Sequence, residues 1–143
     1  IDPYGLEKII AFDPDFDKGL IDAANKTFAA KGTWAIWIHG NSEEVFYAGT
    51  PRTPADILNH LKSLGWKDGQ PIQLYSCETG QGSNSFAQRL ANLTNSTVVA
   101  PTQWIFVKDG EIAGLWKPNP FVRKSLVPIE SWSGVWKAFR RKE

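Results

Sequence analysis

Trp34-Ala35-Ile36-Trp37-Ile38-His39-Gly40 and Leu74-Tyr75-Ser76-Cys77-Glu78-Thr79-Gly80 are the two stretches that decide how this chain folds. The first opens with five apolar residues in a row, too short for a helix of ordinary length and without polar alternation. Such a run fits a strand covered on both faces, as in a parallel sheet. The second continues Pro71-Ile72-Gln73 as another strand and runs into the polar, glycine-containing segment 78–83. Between them, Thr53-Pro54-Ala55-Asp56 supplies an N-cap, a proline at the first helical position and an acid in the first turn. Ile57, Leu58, Leu61 and Leu64 form the apolar stripe of that helix and Gly65 its stop. A strand, a helix and a strand in that order form the crossover unit of a parallel sheet.

Outward from this unit the same alternation continues. Leu20, Ile21, Ala24 and Phe28 recur at helical spacing, predicting a helix over 17–30 before Gly32. Val45-Phe46-Tyr47-Ala48 reads as a further strand after a polar turn. Phe86, Leu90 and Leu93 mark a helix over 85–93, and Thr97-Val98-Val99-Ala100 a strand cut off by Pro101. Residues 103–107 and 112–116 flank Lys108-Asp109-Gly110, and Asp-Gly between two apolar runs is a strong hairpin signal. The stretch through Pro118, Pro120 and Pro128 is expected to be irregular. Trp132, Val135, Trp136 and Phe139 predict a last amphipathic helix ending in Arg140-Arg141-Lys142. The fold class is therefore α/β: a mainly parallel sheet flanked by helices, finished by a C-terminal β-hairpin at one edge. In such sheets ligand sites form at the carboxyl ends of strands.

The 143 residues, 42% of them hydrophobic, suffice for one core without disulfide or metal support. A net charge of +1, from 16 basic against 15 acidic residues, gives no global attraction to nucleic acid or to an anionic membrane. No apolar run reaches the roughly 20 residues that span a bilayer. One cysteine and two histidines exclude a disulfide framework and a multi-cysteine zinc site, so neither a metal nor another cofactor is expected.

His39 and Cys77 each stand at the carboxyl end of an inferred strand, 38 residues apart with one helix between them. Neighbouring parallel strands would deliver both side chains to one sheet edge, where an imidazole accepts the thiol proton. A thiol with an ordinary pKa of about 8.5 is a poor nucleophile until ionised. A nearby imidazolium and the N-terminus of the following helix are expected to favour the thiolate. Gly40 leaves its main chain open to a substrate carbonyl, so its N–H and that of Cys77 are candidate oxyanion donors. Ser76, Glu78 and Thr79 are candidates for a substrate-contacting loop.

Trp37-Ile38-His39-Gly40 followed by Leu74-Tyr75-Ser76-Cys77-Glu78-Thr79-Gly80 resembles the hydrophobic-His-Gly and hydrophobic-Cys-X-X-Gly signatures of the caspase-like cysteine peptidases. That group includes legumain, gingipain and the self-processing domains of large bacterial toxins. The resemblance runs over 34–80 and is closest to the legumain type at Ser76–Gly80. It implies a caspase-like sheet, a peptidase with His39 as general base or acid, Cys77 as nucleophile and Gly40 at the oxyanion. Ile1-Asp2-Pro3-Tyr4-Gly5-Leu6 resembles the Asp-Pro-X-Gly-Leu sequence that closes the core of Rhs proteins, after which a toxic domain follows. It implies a leader over 1–10, a single toxin domain over 11–143, and secretion, in the manner of type VI effectors, into the cytoplasm of a target cell. It also implies a cognate immunity protein as partner, beside the protein substrate.

Other residues carry less chemistry. His60 falls on the polar side of its helix and reads as a solvated or partly covered side chain. The seven tryptophans read mainly as core. Arg140-Arg141-Lys142 is accounted for by a helix dipole and solubility, so nucleic acid is not expected as a partner. Three rival activities remain: deamidation or transamidation through the same thiol, a nuclease toxin that depends on His39 and basic residues, and a non-catalytic binding module that retains the framework.

Overall fold

The computed structural model describes residues 8–27, 31–109, 111–118 and 128–142, the last two with main chain only at 116–118 and 128–133. Its centre is a five-stranded sheet of β1 (Lys8–Ile10), β2 (Trp34–Trp37), β6 (Ile72–Tyr75), β7 (Val98–Pro101) and β11 (Trp136–Phe139), side by side in that order. The first four are parallel, and β11 joins β7 antiparallel at the edge. All four residues of β2 are buried, as expected of a strand covered on both faces.

Alternation along β2 and β6 divides the core in two. Trp34, Ile36, Ile72 and Leu74 point to the face covered by α2 (Pro54–Ser63) and α3 (Phe86–Asn92), where Leu61, Phe86 and Leu90 are fully buried. Ala35, Trp37 and Tyr75 point to the other face, toward Ala23 and Ala24 of α1 (Lys18–Lys26). Helix α2 starts where the sequence places it. Thr53 and Asp56 cap each other's main-chain N–H groups in a complete capping box, with Pro54 at the first position. No described helix is long and apolar enough to cross a membrane.

Several expectations are corrected. Residues 8–10 are not leader but β1, paired in parallel register with Ala35, Ile36 and Trp37 of β2; residues 1–7 lie outside the described residues. The expected helix over 17–30 is described as far as Lys26, and Phe28 lies outside. The hairpin forms from β8 (Trp104–Lys108) and β9 (Glu111–Pro118) but does not extend the edge of the main sheet. It belongs to a separate three-stranded sheet with β10 (Pro128–Ser133), and Ile105 and Leu115 lay it across the α1 face. The edge is taken by β11, where a helix was expected.

Gly134 explains that last difference. Its N–H donates to Leu115 O at 2.7 Å, and a Cβ there would stand 2.6 Å from the Cβ of Gln103, so the chain passes in close contact that no side chain permits. Pro118 and Pro128, expected in irregular chain, face each other across the β9–β10 ladder; Pro120 lies outside the described residues. Trp34, Trp37 and Trp66 are core, whereas Trp104 is 43% exposed.

Candidate active site

His39 and Cys77 come to the same end of the central sheet. Trp37 of β2 pairs with Tyr75 of β6, and their rings stack at 4.1 Å and 2° on the α1 face. His39 and Cys77 each lie two residues beyond that pair, His39 in the short strand that follows β2 and Cys77 in the turn that follows β6. Both side chains line one narrow cleft with Phe12 and Ile105, of about 10 Å³, room for about one water. No hydrogen bond joins them directly; the imidazole is half exposed, and the sulfur is partly covered.

Cys77 stands in a tight turn whose shape is set by its neighbours. Glu78 adopts φ 58°, uncommon for a non-glycine residue, and its N–H donates to Gln103 O while the Gly80 N–H donates to Pro101 O. Ser76 and Thr79 are buried and share a hydroxyl hydrogen bond of 2.9 Å. They brace the turn from inside, and Ser76, though buried, is among the residues lining the narrow cleft. Glu78 accepts a 2.6 Å hydrogen bond from the Trp104 indole.

Burial pushes the Cys77 thiol upward; the main chain of Ile105 opposes that by hydrogen-bonding the sulfur, and the Glu78 charge reinforces it. That direction favours the protonated thiol, opposite to the pull toward thiolate expected from an imidazolium and a helix N-terminus. The helix expected to lower it starts only at Phe86, separated from Cys77 by the turn and loop. A thiol in that state becomes a nucleophile only where a base can take its proton.

His39 lies in β3 (His39–Gly40), which pairs with β4 (Val45–Tyr47), itself paired with β5 (Thr50–Arg52). A Cβ at Gly40 would stand 3.0 Å from Thr79 Cγ2 and 3.1 Å from Val45 Cγ1. Glycine thus lets the histidine strand close onto the cysteine turn, a packing role the sequence reading did not include. His60 is partly covered, its ring edge against Tyr47 at 5.6 Å.

One polar partner of the site was missed. Asp17 Oδ2 lies 3.0 Å from His39 Nε2, and its side chain is only 16% exposed. Its position before α1 reads as an N-cap, yet its carboxylate makes no capping bond and turns instead to the imidazole. Nothing in the spacing of Asp13, Asp15 and Asp17 signals that choice. Beyond His39 a wider groove of about 640 Å³ opens between the loop of Asp13 and Asp15 and the Tyr47–Gly49 turn.

No solved structure matches the chain. The uncharacterized protein YibJ of Escherichia coli (strain K12) is 35% identical over 89 residues, covering 61% of this chain and 37% of that protein's own length. A family model covers residues 8–115, from β1 through the middle of β9 and so across both His39 and Cys77; this chain belongs to the family described as Domain of unknown function (DUF8616).

Proposed function

We propose that this chain is a thiol enzyme, by preference a cysteine peptidase of caspase-like arrangement, with Cys77 as nucleophile and His39 as its base. One observation supports the reading: two residues beyond the paired Trp37 and Tyr75, His39 and Cys77 line one cleft. The raised thiol suits a general-base mechanism. His39 takes the Sγ proton as sulfur attacks the acyl carbon, and returns it to the departing amine as the C–N bond breaks, leaving a thioester on Cys77. Water, deprotonated by the same imidazole, then releases the acid and restores the thiol. Main-chain N–H groups at Gly40 and Cys77 are the candidate donors to the intermediate oxyanion. The groove of about 640 Å³ beside His39 gives an extended peptide a place to lie. Deamidation and transamidation differ only in the nitrogen or acceptor used.

The proposal extends to source and partners. The Asp2-Pro3-Tyr4-Gly5-Leu6 sequence supports a toxin domain released from an Rhs-type protein, delivered to a target-cell cytoplasm and restrained by a cognate immunity protein. The nuclease alternative draws on a separate groove of about 790 Å³ where Arg140, Arg141 and Lys142 gather. None of that groove's lining residues lies at the His39–Cys77 cleft, which favours the peptidase.

Comparing protein N-termini in cells expressing native chain or Cys77→Ala tests the reading. New cut sites are expected with the native chain alone; a folded Cys77→Ala variant that is as toxic and cleaves the same sites would refute it.

A further inference from the structure

We propose that Asp17 is the positioning residue of this site: it fixes the imidazole so that Nδ1, not Nε2, is the nitrogen that serves Cys77. The inference rests on the thiol-enzyme reading above and adds to it a third residue and a tautomer. A carboxylate only accepts hydrogen bonds, so the 3.0 Å contact requires the proton of neutral His39 on Nε2. That leaves the Nδ1 lone pair as the one basic site on the ring.

The geometry around Asp17 is that of a fixed support. Its Oδ2 also accepts the Asp13 N–H at 2.9 Å, and its own N–H donates to Asp13 O at 2.8 Å. The Asp15 N–H donates to Asp13 Oδ1 at 2.8 Å, which closes the loop on itself. The Phe12 ring also meets the imidazole edge-on at 4.9 Å and meets Trp37 at 6.4 Å. Residues 12–17 thus hold the ring by an anionic acceptor and an aromatic edge, leaving few orientations open to it. Proton transfer then runs from Cys77 Sγ to His39 Nδ1, with the Asp17 charge stabilising the imidazolium that forms and taking no proton itself.

Two measurements test this without knowledge of a natural substrate. Nitrogen-15 NMR of the intact chain reads the tautomer, with His39→Ala identifying the signals. The expected result is the Nε2–H form in the native protein and a mixed population in Asp17→Ala; an Nδ1–H form in the native protein overturns the proposal. The second measurement is the rate at which iodoacetamide alkylates Cys77. At about pH 7, Asp17→Ala and His39→Ala are each expected to slow alkylation by about tenfold or more, with the double variant no slower than His39→Ala alone. At about pH 10, where far more of the thiol ionises unaided, the variants are expected to approach the native rate. If Asp17→Ala behaves as native while His39→Ala is slow, the dyad survives and the role of Asp17 falls. If His39→Ala also behaves as native, the thiol-base reading itself falls. A variant slowed equally at both pH values counts against the proposal, because a disrupted loop and not a misplaced imidazole would then be responsible.

Discussion

On one face of the central sheet, Leu61, Ile72, Leu74, Phe86, Leu90 and Val98 pack to full burial beneath two capped helices. On the other, the covering is Ala23 and Ala24, a stacked Trp37–Tyr75 pair, and a hairpin that reaches across through Ile105 and Leu115. The first face has large aliphatic side chains interlocked with little exposed surface. The second presents flat rings and small residues, and it is at its edge that the cleft with His39 and Cys77 opens. A parallel sheet needs both faces covered, but the coverings need not be equal. Here the heavily packed side holds strand register, and the lighter side leaves room at the rim for a cleft.

That contrast can be broken at its strong side first. Leu61→Ala removes a fully buried side chain from between α2 and the sheet and is expected to cost about 2–5 kcal/mol, read as a lowered denaturant midpoint. A loss no larger than that of a surface substitution would show that this face does not dominate stability. Gly40→Ala probes the seam between histidine strand and cysteine turn. The added Cβ meets Thr79, Val45 and Glu44, so a loss of about 1–3 kcal/mol is expected, with slower Cys77 alkylation as the two groups move apart. Unchanged stability and alkylation would mean that the seam has slack.

The smallest effect is expected from pH. Because burial raises the Cys77 thiol above its ordinary value, the folded state is favoured by the protonated form. That contribution is complete below the ordinary value and is lost as pH rises through the raised one. Native protein should therefore lose stability in alkali relative to Cys77→Ala, measured as the difference between their denaturant midpoints at about pH 8 and about pH 10. Parallel curves would show that the sulfur is not desolvated.

Helix α2 was legible to the residue at its start because its signals are local: Thr53, Pro54 and Asp56 act within one turn. The strands around Ile36 and Leu74 were legible because a short apolar run bounded by polar turns has few other uses. The C-terminal segment was misread for the opposite reason. Trp132, Val135, Trp136 and Phe139 fit helical spacing, but the free edge of β7 and the crowding of Gly134 against Gln103 decide for a strand. The hairpin turn was legible, but its placement over a face was not. Cys77 and His39 stand out in the sequence by their motifs, whereas Asp17 does not, since an aspartate before a helix looks alike whether it caps that helix or turns to a distant ring.

By itself, the sequence determined the capped helices, the buried parallel strands and the pair of residues at the strand ends, because hydrophobic period and capping act over a few neighbouring residues. Tertiary structure alone decided that burial raises the Cys77 thiol, that Gly40 closes a seam, that Ser76 and Thr79 are buried and that Asp17 meets His39. Those outcomes depend on desolvation and contact between segments far apart in the chain, which no local pattern of residues records.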